Sequence, residues 1–233
     1  MTGLLKLFLF DFVFLWFSEK TVQTVQPDVV VQVRSIQADS SHIPTYSPEQ
    51  LAQYAQNQEA WVQKQMDSMS LPQKVGQLFM ISTYSNRTET TYKQVEEYIR
   101  QYHVGGIIFF QGHPVQQAKL TNRYQAASKI PLLIGMDAEW GLGMRLDETI
   151  SFPKQVTLGA VQDLRLLEEV GYAIGMQCQR LGIHMNFSPV ADINTNPDNP
   201  VINYRAFGEN AQEVADRAVA FHRGLKRARI MGS

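Results

Sequence analysis

The residues best placed for chemistry stand where apolar runs end. The stretch Leu132-Leu-Ile-Gly-Met136 stops at Asp137 and Glu139, and a glycine-rich turn carries the chain on to Arg145. Asn186, Ser188 and Asp192 stand within or just after a second apolar-rich stretch, His184 to Pro189. The long segment from Asn194 to Glu209 has no helical periodicity and carries Arg205 near its end. A loop of that kind in a compact domain is usually functional. A carboxylate can accept hydrogen bonds from two vicinal hydroxyls, and an arginine fork can donate two to them or to an acyl oxygen. Carboxylate and arginine together therefore suit a sugar. Plainer readings stand beside this one. Asp137 could cap a following helix, Asp192 could serve turn chemistry, and Arg205 could form a salt bridge to a loop carboxylate. Asp198, between Pro197 and Pro200, reads as a turn residue.

Other candidates carry less. His103 precedes Gly105-Gly106 at a helix end, where a cation favours the helix dipole. His113 follows an apolar run and could face the same site, whereas His184 and His222 have no metal-ligand partner at close spacing. No serine–histidine–aspartate set and no zinc motif is present, so neither metal nor cofactor is expected. Cys178 is the only cysteine, which excludes an internal disulfide, and its place in a periodic apolar pattern marks it as a buried thiol. A net charge of -1 gives no reason to propose nucleic acid or an anionic membrane as partner.

The elements that must position these residues alternate. Ser47, Pro48 and Gln50 read as an N-cap, a first-turn proline and a capping-box partner. Leu51, Tyr54, Trp61, Val62, Met66 and Met69 follow at helical spacing, which suits a helix lying on another surface. Ser70-Leu-Pro-Gln-Lys74 then opens a second short helix. Strands are expected at 77–82, 105–110, 131–137 and 184–189, with helices at 91–102, 115–128, 163–181 and 211–225. A fifth strand begins at Arg229. Regular βα alternation implies a parallel sheet with right-handed crossovers, either doubly wound or closed as a barrel. No G-x-G-x-x-G or Walker motif follows a strand. The count favours an α/β fold, a (β/α)₈ TIM barrel of about 250 residues, here truncated after about four βα units and preceded by an N-terminal helix.

Leu4 to Phe17 is almost wholly apolar, interrupted by Lys6 and Asp11. It is shorter than the roughly 20 residues that span a bilayer, and matches the hydrophobic region of a secretory signal. Residues 1–20 therefore read as a signal peptide or hydrophobic anchor, with a misassigned start codon as a further alternative. Export to the periplasm or the extracellular space follows if the segment is a signal, and a cytoplasmic location if it is not. Residues 21–46, rich in Gln, Ser, Thr and Val, read as a linker, 47–70 as the N-terminal helix, and 71–233 as a partial barrel domain.

Five ordered motifs then carry a resemblance. Met69-Ser-Leu-Pro-Gln-Lys-Val-Gly-Gln-Leu-Phe-Met80, Gly105-Gly-Ile-Ile-Phe-Phe110, Gly135-Met-Asp-Ala-Glu139, Phe187-Ser-Pro-Val-Ala-Asp-Ile-Asn194 and Arg205-Ala-Phe-Gly-Glu209 resemble glycoside hydrolase family 3. The likeness is greatest to its bacterial β-N-acetylhexosaminidase branch, and it spans residues 66 to 233. The resemblance implies a (β/α)₈ barrel that removes a terminal β-linked sugar with retention, through a glycosyl-enzyme intermediate on an aspartate. It implies that Asp137 holds sugar hydroxyls, that Arg205 contacts the sugar, and that Asp192 lies near the pocket wall. The family's Asp-x-Glu-Gly-Gly-Arg reads Asp137-Ala-Glu-Trp-Gly-Leu142 here, so the usual arginine is missing while Arg145 remains. The Lys-His-Phe-Pro-Gly-His-Gly segment that supplies the acid/base dyad, and the nucleophile after it, are expected beyond Ser233. No catalytic residue is therefore assigned within the chain, which is expected to be inactive alone.

The expected function is that of the N-terminal part of a retaining exo-glycosidase acting on terminal β-linked N-acetylhexosamine, with an N-acetylhexosaminide as partner and peptidoglycan or chitin as its source. A β-glucosidase of the same family is the alternative, or a non-catalytic carbohydrate-binding protein if the gene ends at Ser233.

Overall fold

The structure, a computed structural model, describes residues 46–233. The readings made for residues 1–20 and for the linker up to residue 45 lie outside the described residues. The chain divides into two units, 1–54 and 55–233, and the boundary falls inside the first described helix, α1 (Pro48–Ser68).

The cap of α1 forms as its sequence requires. Gln50 N–H donates to Ser47 Oγ at 3.2 Å, and Ser47 N–H donates to Gln50 Oε1 at 2.8 Å. No residue of α1 is buried, so its apolar stripe, which suited a covered surface, has no cover among the described residues. Ser70 and Gln73 build a second capping box at the start of α2 (Leu71–Gly76).

From there the chain alternates. Strand β1 (Met80–Thr83) leads to α3 (Glu89–Tyr102), β2 (Gly106–Phe109) to α4 (Pro114–Ala127), and β3 (Leu133–Met136) to a 3₁₀ turn at Leu142–Met144 and the short α5 (Gln155–Leu158). Helix α6 (Leu164–Arg180), β4 (Met185–Asn186), a 3₁₀ turn at Asn203–Arg205, α7 (Ala211–Arg227) and β5 (Met231–Gly232) complete it. The strands are shorter than their apolar runs. Leu78 and Phe79 N–H groups still bond back to Val75 and Gly76, so α2 takes residues that the run alone assigns to β1. After Asn186 the Ser188 N–H turns back to the Asn186 carbonyl at 2.8 Å, which ends β4 early.

Among the described residues all five strands are parallel and their order is β1-β2-β3-β4-β5. A doubly wound sheet reverses its strand order at a switch point; this sheet has no reversal. Right-handed crossovers between strands placed in sequence put the helices that join them on one face. That face carries the register partners Ile81, Ile107 and Ile134, then Thr83, Phe109, Met136 and Asn186. Tyr124 of α4 stacks on Phe109 at 6.3 Å and its hydroxyl lies 3.5 Å from Thr83 Oγ1. Leu167, Ile174, Cys178, Phe221 and Leu225 of α6 and α7 are wholly buried in the same core.

The opposite face carries Met80, Ser82, Ile108 and Met185, none of them buried. Its two glycines admit a close approach. A Cβ on Gly135 would stand 2.8 Å from the Phe187 ring and 3.3 Å from Met80 Sδ, so those side chains lie across the glycine strip. The pleat carried one residue past β3 directs Asp137 to this face rather than to the helices.

Candidate functional site

Asp137 leaves the carboxyl end of β3, and the backbone around it is clamped from β4. The Asn186 amide accepts from Ala138 N–H at 2.9 Å and donates to the Ala138 carbonyl at 3.1 Å. Both groups are buried, so one side chain satisfies donor and acceptor of the residue between Asp137 and Glu139. Next to it, His184 Nδ1 accepts from Ile134 N–H at 3.0 Å, a further tie between the third and fourth units.

Arg145 returns to Asp137 through the 3₁₀ turn. Gly141 opens that turn with φ 91°, a left-handed conformation that suits glycine. The Arg145 carbonyl accepts from Gly112 N–H at 3.1 Å, which ties the turn to the segment after β2. Its guanidinium lies 4.7 Å above the Phe110 ring, and Nη2 donates to Asp137 Oδ2 at 2.5 Å. Phe110 in turn packs against Tyr84 at 5.7 Å. Two polar groups at this pair remain unspent: Arg145 Nε is buried without a partner, and Asp137 Oδ1 accepts no bond among the described residues. The Asp137 side chain keeps 25% of its surface open.

Glu139, two residues on, is buried at 2% exposure and is gripped by Arg205. Arg205 donates from Nη2 to Oε1 at 2.7 Å and from Nε to both carboxylate oxygens at 3.1 Å. These bonds push the guanidinium above the usual arginine range; burial opposes them, and the fields of Tyr204 and Asp137 add smaller contributions. Arg205 thus forms the salt bridge weighed in the sequence, with a carboxylate of the same segment as Asp137.

The residues expected at one site separate into two groups. Asp137, Arg145 and Arg205 come together at the carboxyl ends of the strands. Asp192 is exposed and pairs with no described residue. His113, at the start of α4, lies 3.6 Å from Asp147 on the surface and forms no hydrogen bond or ion pair with any of the three. Phe110 and the Asn186 clamp were not expected, and an aromatic residue directly after β2 was the only signal for the former. Among the described residues no three His, Cys, Asp or Glu side chains converge as a metal site. None of the described helices is long and apolar enough to cross a membrane.

A one-faced parallel α/β sheet with carboxylate–arginine pairs at its strand ends defines the class. Comparison with known proteins identifies the family: residues 70–233 match the glycosyl hydrolase family 3 N terminal domain, and the chain belongs to that family. A β-hexosaminidase A of Pseudoalteromonas piscicida is 33% identical over 153 residues, covering 60% of this chain and 26% of that protein. A β-N-acetylglucosaminidase/β-glucosidase of Cellulomonas fimi is 31% identical over 156 residues, covering 67% of this chain and 27% of the relative. The solved family 3 β-N-acetylglucosaminidase from Paenibacillus sp. str. FPU-7 superposes with a TM-score of 0.63 at 37% identity, covering 70% of this chain and 32% of that one. The chain therefore spans about a quarter of the length of these two curated relatives.

Proposed function

We propose that residues 71–233 are the sugar-binding half of a (β/α)₈ barrel from a retaining exo-β-N-acetylhexosaminidase, with 47–70 as a preceding helix. The observation that carries this reading is the Asp137–Arg145 pair at the strand ends, where the carboxylate keeps one oxygen without a described partner and 25% of its side chain open. Asp137 accepts from sugar hydroxyls, Arg145 takes the place of the family's missing arginine, Arg205 lines the same pocket, and Asp192 stands at its wall. The sequential strand order supports the barrel, whose interior would be the helix-free face. An apolar groove of about 730 Å³, lined by Val75, Phe79, Ile81, Tyr98 and Tyr102 at the edge of β1, offers a surface on which a closing unit would pack.

Retaining hydrolysis needs a nucleophile and an acid/base group. The resemblance assigns both to the part of the relatives that this chain does not span. The apolar stretch Leu4–Phe17 supports export of the protein. A β-glucosidase is the second reading, favoured by the Cellulomonas fimi relative, whose name joins both activities. The test is to offer the protein that carries this domain an aryl N-acetyl-β-glucosaminide and an aryl β-glucoside. Preference for the first, with retained anomeric configuration, is the expected result. Preference for the second selects the alternative, and turnover of neither overturns both.

A further inference from the structure

The two ends of the sheet differ in charge. At the amino ends of the strands the helices finish. Their last turns and the loops that follow carry Lys74, Arg100, Lys129, Arg180, Lys226 and Arg229. From α2, α3, α4, α6 and α7 those segments bring no aspartate or glutamate. At the carboxyl ends carboxylates outnumber cations, with Asp147, Glu148, Asp163, Asp192, Asp198 and Glu209 in the loops. The net charge of -1 conceals this segregation. Helix dipoles account for cations in a last turn, but not for Lys129 and Arg229, which stand past the helix ends, nor for the missing carboxylates. Arg100 leans toward Glu96 at 3.8 Å, and Arg227 is held by Glu168 and Glu169. The side chains of Lys74, Lys129, Arg180, Lys226 and Arg229 form no ion pair among the described residues. The last turn of α1 carries one carboxylate, Asp67, which accepts from Gln63 Nε2 at 2.7 Å.

Strand order gathers these charges. Lys129, Arg180 and Arg229 precede β3, β4 and β5, which are neighbours in the sheet. Adjacent strands lie about 4.8 Å apart, so charges on successive loops stand within one or two Debye lengths of about 8 Å, and their fields add. Apolar side chains share this end. Gln73 Nε2 lies 3.1 Å from His103 Nε2, and Gln77 Nε2 donates to the His103 carbonyl at 2.6 Å, which lays α2 across the end of α3. Leu71 and Leu78, at and just past the two ends of α2, are 74% and 84% exposed.

We infer that the amino end of the sheet docks on an anionic lipid bilayer, with Lys129, Arg180, Lys226 and Arg229 over the headgroups and Leu71 and Leu78 entering the interface. Cations beside exposed leucines fit a surface that offers phosphate charge above hydrocarbon. A nucleic acid offers the charge without hydrocarbon to cover the leucines. In this pose the acidic loops at the carboxyl ends of the strands point away from the membrane, so repulsion from the anionic surface selects the same orientation that the cations favour.

The test mixes the full chain with vesicles of phosphatidylcholine alone and with vesicles of equimolar phosphatidylcholine and phosphatidylglycerol, and reads binding by co-sedimentation. The apolar stretch Leu4–Phe17 can contribute to both, so the readout is the ratio of anionic to neutral affinity. Anionic vesicles are expected to bind about tenfold tighter or more, and added salt closes the gap. Each lysine or arginine near such a surface is worth about fivefold. Lys129→Gln with Arg180→Gln therefore lowers the ratio by roughly tenfold. Lys93→Gln with Lys119→Gln, the same charge change within α3 and α4, leaves it unchanged. Leu71→Ser weakens binding to anionic vesicles severalfold and leaves any binding to duplex DNA unaltered. Equal binding to both vesicles, or equal losses from the two double variants, overturns the docking face. A Leu71→Ser variant that binds anionic vesicles as the parent does overturns lipid as the partner and leaves a hydrophilic polyanion in its place.

Discussion

Arg205 donates three hydrogen bonds to Glu139, yet the two partners are unequally buried, at 30% and 2% side-chain exposure. Removing either leaves the other uncompensated, and the cost depends on which charge is stranded. Arg205→Ala orphans a buried carboxylate and should destabilise the domain by about 3–5 kcal/mol. Glu139→Gln strands a guanidinium that water can still reach, and should cost roughly 1–2 kcal/mol. Urea unfolding of both variants checks the order; equal losses would show that exposure does not govern this pair.

Asn186 bonds to both backbone groups of Ala138 across 48 residues of sequence. Asn186→Ala leaves the buried Ala138 N–H unpaired, at about 1–3 kcal/mol, while the Ala138 carbonyl keeps the Gly141 N–H at 3.2 Å. Asn186→Asp keeps the acceptor but sets a second oxygen against the Ala138 carbonyl, and should be no better tolerated. Because Asp137 and Glu139 flank Ala138, both variants should also weaken sugar binding. A stable Asn186→Ala domain with unaltered binding would remove the clamp from the account of the site.

That clamp marks the limit of what the sequence makes legible. Alternation of apolar runs with helical periodicity locates all five strands and the four long helices between them, because each element's period survives in its own residues, whereas the one-turn α5 is too short to carry a period. Asp137 is legible for the same reason, as a charge that interrupts a buried strand. Asn186 is visible as a polar residue near a strand end, but its partner depends on the register of β3 against β4, which local pattern does not encode. Lys154 lies in a stretch without periodicity, and only the fold brings it onto Trp140 and Tyr204. Arg145 was legible as a leftover arginine; its place beside Asp137 depends on the turn that Gly141 opens.

In an enzyme that carries this domain, Asp137→Ala should lower kcat/KM by roughly 10²-fold or more. Hydrogen bonds to sugar hydroxyls strengthen as charge develops in the transition state, and losing a buried charged bond costs about 2–5 kcal/mol. Arg145→Lys should also be damaging, since a lysine cannot both stack on Phe110 and present a planar fork. Arg205→Lys should follow for the same geometric reason. Assay on an aryl N-acetyl-β-glucosaminide decides, and unchanged kinetics for Asp137→Ala would take that residue out of the site.

Cys178 offers a test of the core that is independent of function. Burial pushes its thiol up to about 12 from an ordinary 9.0. Between those values the unfolded chain has released the proton and the folded chain retains it, so stability falls as pH rises through that window. Below pH 9 the group contributes no pH dependence. At pH 7.5, Cys178→Ala should destabilise the domain by about 1–2 kcal/mol through lost packing. By pH 10.5 the native protein should have given up as much as about 2 kcal/mol that the alanine variant never had to lose, so the two should converge. The native thiol should also resist a thiol reagent at pH 8 and react fully in urea. A stability difference that stays constant from pH 7.5 to 10.5, or rapid labelling of the folded protein, would show that Cys178 is wetter than its packing against α7 implies.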